Sequence, residues 1–426
     1  MFALPAPAGW EPAPFSLEYT PPSRSHPGSF QSTFPVEIYE RIIDFCAHPA
    51  NFPNALSGCR LALRTWALTC KALLRRVRFH LWREIKLRDE KEVNALTQTL
   101  RGNSHLSTFI QFLDVWMDAP ASMFITLVNA KMRHLQYMHI SGERPLRHKL
   151  FFQTMFRFRM VTMLWISFRI QAHQFMRLLC CFPNLLLLKL DGEQDCYAPI
   201  PEATKYAPKF KLECFQFKFS PGETHVEAWR YILRCLMDTQ RCLTTLRILE
   251  VDFSDTWDGV HVDMENISLI LSSAGETLTD LVIHYTHDWN FKEPGDTHVI
   301  KSISLQHNSA LRRLRIAFYW TGQKDLSGLL HLLESIPEKS LEYLSILFSQ
   351  ITSSSQGVEI EAKWWQDLDT LLSTDRFQNL RGLDITPTYE RFGDEMTVMK
   401  KKGIVHVTSQ RMFPARDWMR LRGFWL

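Results

Sequence analysis

Apolar residues recur along most of the chain in one short frame, with apolar residues at its first, fourth and sixth positions. The stretch LRRLRI, beginning at Leu311, is one copy. Four more close copies begin at Leu243, Leu278, Leu341 and Leu380. Five looser copies begin at Ile110, Leu135, Val161, Leu185 and Leu212. The pattern therefore predicts ten repeated units.

The inner spacing of the frame indicates a strand with one buried face, because positions four and six alternate with polar residues. Helical periodicity lies between copies, as in the three sets Val226, Trp229, Leu233 and Leu236; Leu326, Leu329, Leu330 and Leu333; and Trp364, Leu368, Leu371 and Leu372. Alternating strands and helices require crossover connections and so a parallel sheet. Repeats of this length stack to bury a shared core. The sequence predicts an α/β solenoid.

A different pattern precedes the repeats. Residues 1–30 are rich in proline, serine and glycine, which predicts a disordered arm. Ile38, Ile42 and Cys46 then recur every four residues after Pro35, as expected of a short helix. One further apolar stripe predicts a single second helix: Leu63, Ala67, Cys70, Leu74, Val77 and Leu81. We therefore predict a helical domain over residues 31–90, followed by the solenoid and a C-terminal segment over 91–426.

Two family resemblances rest on these residues. The frame resembles leucine-rich repeats of the irregular, long-unit kind over roughly residues 105–390. Residues 34–87 resemble an F-box in four elements that occur in order: Phe34-Pro35, Glu37-Ile38, Leu68-Thr69-Cys70-Lys71 and Leu81-Trp82. In place of the family's usual tryptophan in the third element, this chain has Leu73.

The F-box resemblance implies that the chain is a non-catalytic adaptor. Helices of this family bind a Skp-type adaptor and, through it, a cullin-RING ubiquitin ligase, while the following domain selects a protein for ubiquitin-dependent degradation. The candidate adaptor-binding residues are Phe34, Pro35, Ile38, Ile42, Leu68, Cys70 and Trp82. A second interpretation stays open, in which the two helices only cap the open end of the solenoid.

Candidate cargo-binding residues follow the frames of the later units. Large aromatic and charged side chains occur there, where the loops of a parallel array emerge at one edge and are common binding sites. They are Trp257, Asp258, His287, Trp289, Tyr319, Trp320 and Tyr389. The alternative is that these rings fold back to cover the edge of the sheet. The sequence does not identify the cargo.

Composition narrows the classes of function. A chain of 426 residues with a net charge of +4 lacks the concentrated positive charge that would make nucleic acid the default partner. Its nine cysteines are irregularly spaced, and no metal, cofactor or nucleophile motif occurs. No apolar run is long enough to span a bilayer, so we expect a cytoplasmic or nuclear protein.

One segment keeps a contrasting class open. Residues 147–159, RHKLFFQTMFRFR, mix basic residues with phenylalanines, a composition found where proteins meet single-stranded nucleic acid or membranes. Its position between two repeat strands favours an outer helix with a solvated basic face. The alternative function is that of a repeat scaffold that binds RNA or acidic lipid and has no ligase role.

Overall fold

The computed structural model describes most of the chain from Pro35 to Val407. The described residues are 35–47, 56–69, 71–116, 127, 129–142, 149–168, 172–191, 208–218, 232–237, 242–253, 264–286, 303–320, 327–350, 362–386 and 396–407. They divide into two compact units, the first ending at Arg83 and the second beginning at Glu84. Each unit has its own core.

The first unit contains three helices: α1 (Val36–Ala47), α2 (Leu56–Thr69) and α3 (Leu74–Arg83). The prediction of one long helix through Leu63 and Leu81 was wrong, because the chain turns over residues 71–73. In a straight helix Leu63 and Val77 would lie about 21 Å apart. Instead they share one core with Ile43, which requires the chain to reverse direction between them.

The second unit is built on a parallel sheet, which confirms the predicted α/β class. Among the described residues the sheet has twelve strands, and their order follows the chain from β1 to β12. The strands are β1 (Glu84–Leu87), β2 (Phe112–Trp116), β3 (Tyr137–Gly142), β4 (Met163–Phe168), β5 (Leu187–Leu190), β6 (Cys214–Lys218), β7 (Ile248–Phe253), β8 (Asp280–Thr286), β9 (Arg313–Trp320), β10 (Tyr343–Gln350), β11 (Gly382–Thr386) and β12 (Val405–Val407).

Strand register aligns the repeated frame across the sheet. Leu314, at position four of its frame, pairs with Leu281 on one side and Leu344 on the other, which are also fourth positions. The sixth frame is an exception. Phe215 pairs with Leu249 rather than Leu246, so this copy begins at Leu246, three residues later than predicted.

Two strands lie outside the ten predicted units. β1 pairs with β2, placing Ile85 beside Leu113, and β12 pairs with β11, placing Val405 beside Leu383. The first falls in the segment that resembles an F-box. The second was missed because Lys402 occupies the position where the frame requires an apolar residue.

Helices connect the strands, and those over residues 232–237, 327–334 and 362–372 lie where the apolar periodicity predicts them. They are α4 (Glu90–Gly102), α5 (Lys149–Met155), α6 (Ala172–Leu179), α7 (Met264–Ala274), α8 (Ser327–Glu334), α9 (Ala362–Leu372) and α10 (Thr397–Lys401). Residues 232–237 are also helical. Leu233, Leu333 and Leu368 of the predicted stripes are buried. Asp89 begins α4 by accepting a hydrogen bond from the Glu92 amide at 2.8 Å.

Candidate functional site

Residues from all three helices form a small apolar core in the first unit. Ile43, Leu63 and Val77 are buried, and Trp66 and Leu81 pack against them. Because α1 contributes only Ile43 to the fully buried set, the side chains on its other face are not needed to form this core.

An ion cluster ties α1 to α3. Arg76 donates from Nε and Nη2 to the two carboxylate oxygens of Asp44 at 2.6 and 2.5 Å, and Nε2 of His80 lies 2.8 Å from Oδ1. Burial raises the pKa of Asp44, but the hydrogen bonds from His80 and Arg76 outweigh burial and lower that pKa to about 2. The cluster therefore fixes the orientation of α1 at neutral pH.

Apolar side chains cover the outer surface of α1. Ile38 is 39% exposed, Ile42 46% and Phe45 59%. Their spacing of four and three residues places them on one stripe of the helix, which we call the α1 face. Of the thirteen large apolar side chains that are exposed among the described residues, six belong to this unit: Val36, Ile38, Ile42, Phe45, Leu61 and Leu68. Such a concentration is typical of an interaction surface.

The structure places five of the seven candidate adaptor-binding residues. Pro35 is exposed directly before α1, and its carbonyl accepts from the amide of Ile38 at 3.0 Å. Ile38 and Ile42 lie together on the α1 face. Leu68 is 89% exposed near the end of α2, and Trp82 is half-buried in α3. Phe34 and Cys70 lie outside the described residues.

A row of hydrogen-bonded side chains crosses strands β2 to β4 on the sheet face opposite to the frame residues. Nδ1 of His139 lies 2.9 Å from Oδ1 of Asp114, and Nε2 of His139 lies 2.8 Å from Oγ of Ser167. The imidazole stacks on the indole of Trp165, with ring centroids 4.1 Å apart. Nζ of Lys189 also lies 4.1 Å from a ring centroid of Trp165. This row combines a carboxylate, an imidazole and a hydroxyl, groups able to relay a proton.

Sequence reasoning missed this row, although a signal for it exists. Asp114 and His139 both occupy the fifth position of their frames, and strand register places them side by side. Glu250 repeats the arrangement on β7, where it accepts from Gln216 at 2.6 Å and lies 3.3 Å from His284. Comparing fifth positions between successive frames would have found Asp114 beside His139. It would not have found the second group, because Glu250 is a fifth position only in the frame from Leu246 and His284 is a seventh position.

The candidate cargo-binding residues lie almost entirely outside the described residues: Trp257, Asp258, His287, Trp289 and Tyr389. Only the backbone of Tyr319 and Trp320 is described. The expectation that these two belong to a loop was wrong, since β9 continues through Trp320 and pairs there with Gln350 of β10. Tyr319 also pairs with Thr286, so β8 and β9 end at the same edge of the sheet.

Two described cysteines are poor nucleophiles. Burial raises the pKa of the Cys180 thiol to about 11 and that of Cys181 to about 12, which disfavours the reactive thiolate at neutral pH. Among the described side chains, no group of three or more histidines, cysteines and acids is placed to hold a metal ion. No described helix is long and apolar enough to cross a bilayer.

No family model matches the chain, and no curated protein matches its sequence.

Proposed function

We propose that this protein is the substrate-recognition subunit of a Skp-cullin-F-box ubiquitin ligase. In this proposal the first unit is an F-box that binds a Skp-type adaptor, and the second is an irregular leucine-rich-repeat solenoid that presents a target protein. The observation that carries the proposal is the α1 face, where the candidate adaptor-binding residues Ile38 and Ile42 are exposed and do not belong to the buried core of Ile43, Leu63 and Val77.

The chemistry of the α1 face fits a helical or grooved protein partner. Ile38, Ile42 and Phe45 offer apolar area on one helix stripe, the arrangement used when a helix docks in an apolar groove. The Asp44 cluster lies on the same helix and holds it against α3. A helix fixed before binding loses less conformational entropy on association, which favours affinity.

The proposed test of the adaptor role is affinity purification of the full chain and of a variant lacking residues 31–83, with a proteasome inhibitor present. We expect a Skp-type adaptor and a cullin to be recovered with the full chain and lost with the deletion. Recovery of the adaptor with the deleted chain would contradict the proposal. The same experiment reports the cargo.

Cargo recognition is proposed for the aromatic residues that follow the strand frames. Tyr319 and Trp320 end β9, next to the strand that precedes His287 and Trp289 in the chain. Trp289→Ala combined with Trp320→Ala should keep adaptor binding and a cooperative melt but lose cargo. An unstable double variant, or one with unchanged partners, would instead support the interpretation that these rings cover the sheet edge.

We further propose that the polypeptide carries out no chemistry of its own. The Asp114–His139–Ser167 row allows a sharp test, because a serine activated by such a relay reacts with fluorophosphonates. Labelling of the purified wild-type protein should not exceed that of a Ser167→Ala variant. Specific labelling that disappears in His139→Ala would contradict the proposal and make Ser167 a nucleophile.

A further inference from the structure

One edge of the sheet carries basic side chains before four of five successive strands, β3, β4, β6 and β7. The segments preceding β3 to β7, described at residues 129–136, 156–162, 180–186, 208–213 and 242–247, contain seven lysines and arginines and one acid, Glu213. The seven are Lys131, Arg133, Arg157, Arg159, Lys209, Lys211 and Arg247, and all are exposed. We call this set the basic edge.

The backbone shows that these segments are neighbours in space. The Thr162 amide donates to the carbonyl of Gln136 at 2.8 Å, Leu186 to Thr162 at 2.8 Å, Glu213 to Leu186 at 2.8 Å and Arg247 to Glu213 at 2.9 Å. Adjacent strands lie about 4.8 Å apart, so the five segments extend over about 19 Å. The backbone from Gln136 to Arg247 therefore forms one continuous edge, although these two residues are more than 100 positions apart in sequence.

Among the described residues acids offset little of the charge of the basic edge, although Arg247 acts on the Asp280 carboxyl and favours its ionised form. Among the described residues, none of its seven cations forms an ion pair with a carboxylate; the guanidinium of Arg159 instead lies 4.6 Å from the ring centroid of Phe156. The segments preceding β8 to β11 differ, because their described residues contain four basic side chains and four acids. One pair there, Arg312 and Glu342, lies 3.6 Å apart. The segments before β3 to β7 thus carry an excess of positive charge that those before β8 to β11 lack, and Lys400, Lys401 and Lys402 form a separate basic cluster before β12.

Exposed apolar side chains lie among the cations. Phe156 is 50% exposed, Met160 59% and Leu186 36%. Met160 precedes β4 and Leu186 precedes β5, so both lie within the basic edge. Met160 and Leu186 give nucleic-acid bases no stacking surface, and Arg159 lies over the ring of Phe156. Cations surrounding exposed apolar groups suit the boundary between anionic headgroups and acyl chains.

We propose that the basic edge binds the surface of an anionic phospholipid membrane. The seven cations attract the headgroups, and Phe156, Met160 and Leu186 enter the interfacial layer. This inference goes beyond the ligase role and is independent of the α1 face, so it would place the ligase at a membrane rather than change its adaptor. It also gives a role to the basic and aromatic stretch that ends at Arg159.

The test uses sedimentation of the full chain with two kinds of vesicle, one of equimolar phosphatidylserine and phosphatidylcholine and one of phosphatidylcholine alone. A variant removes four charges: Arg133→Gln, Arg157→Gln, Arg159→Gln and Lys211→Gln. A matched control removes four exposed cations elsewhere in the same unit: Lys363→Gln, Arg381→Gln, Lys400→Gln and Lys402→Gln.

We expect the wild type and the control to bind only the anionic vesicles, and the four-charge variant to bind them more weakly by a factor on the order of 100 or more. Binding of the wild type should also fall as salt is raised, which tests the charge mechanism without any substitution. Met160→Ser combined with Leu186→Ser should weaken binding several-fold at constant charge.

Three results would overturn the proposal: absence of wild-type binding to anionic vesicles, equal binding to both kinds of vesicle, or equal loss in the variant and its control. Retention of single-stranded RNA without retention of anionic vesicles would also overturn it and assign the edge to nucleic acid. Adaptor binding, measured on the same variants, should not change. Failure of this inference is therefore distinguishable from failure of the ligase proposal.

Discussion

Two adjacent isoleucines in α1 have opposite environments. Ile43 is 1% exposed and joins the core of the first unit, whereas Ile42 is 46% exposed on the α1 face. The sequence identified Ile38 and Ile42 as a stripe from their spacing of four residues, and the structure confirms the helix. The sequence could not show which face of α1 is buried, because that depends on Leu63 and Val77, which contact Ile43 from two other helices.

At the same scale, the lowered pKa of Asp44 predicts how acid affects the first unit. A carboxyl whose folded pKa lies below its ordinary value stabilises the fold above the ordinary pKa, and this contribution is lost as pH falls through the folded pKa. For Asp44 the loss should occur between its ordinary pKa of 3.8 and about 2. Hydrogen exchange of residues 36–47 should therefore accelerate across this range.

An Asp44→Asn variant serves as the control for that measurement. It should exchange faster at neutral pH, because the amide cannot pair with Arg76 as a carboxylate does. Its exchange should depend less on pH below 4 than that of the wild type, after correction for the intrinsic rate. Equal pH dependence in the two proteins would show that Asp44 is not the group responsible.

The strands of the second unit could be predicted because their buried residues recur in one short frame. Position four of the frame is buried in every predicted unit, from Leu113 to Leu383. The sixth copy shows the limit of this reasoning. The stretch LTTLRILEV contains two overlapping frames, one from Leu243 and one from Leu246, and only pairing of Phe215 with Leu249 selects the second.

The frame predicts that aspartate is far more destabilising at a buried frame position than at a neighbouring position on the opposite face of the sheet. Leu314→Asp should destabilise the second unit by more than about 4 kcal/mol, since a buried carboxylate without a partner is costly. Ser345→Asp, on the opposite face of the next strand and only half-buried, should cost about 1 kcal/mol or less. Denaturant unfolding of both variants measures the difference, and equal stabilities would mean that the frame does not form the core.

At the scale of the whole molecule, the parallel sheet could be predicted from the sequence, whereas two groups of side chains on its surface could not. Alternating strands and helices indicated the parallel sheet, and the ten frames gave most of its length. The Asp114–His139–Ser167 row and the basic edge were not predicted, because each is assembled by strand register from residues in separate repeats. Candidate cargo residues such as Trp289 stay predictions, since the described residues do not include them.

The most direct test of the ligase proposal is calorimetric titration of a purified Skp-type adaptor into the full chain, into Ile38→Asp and into Leu269→Asp. Leu269 is a matched control in the second unit, since it is an apolar helical residue with a comparable exposed fraction of 48%. The account predicts that the wild type and Leu269→Asp bind with equal affinity, whereas Ile38→Asp binds at least tenfold more weakly while melting normally. Wild-type affinity in Ile38→Asp, or no binding by any of the three proteins, would contradict it.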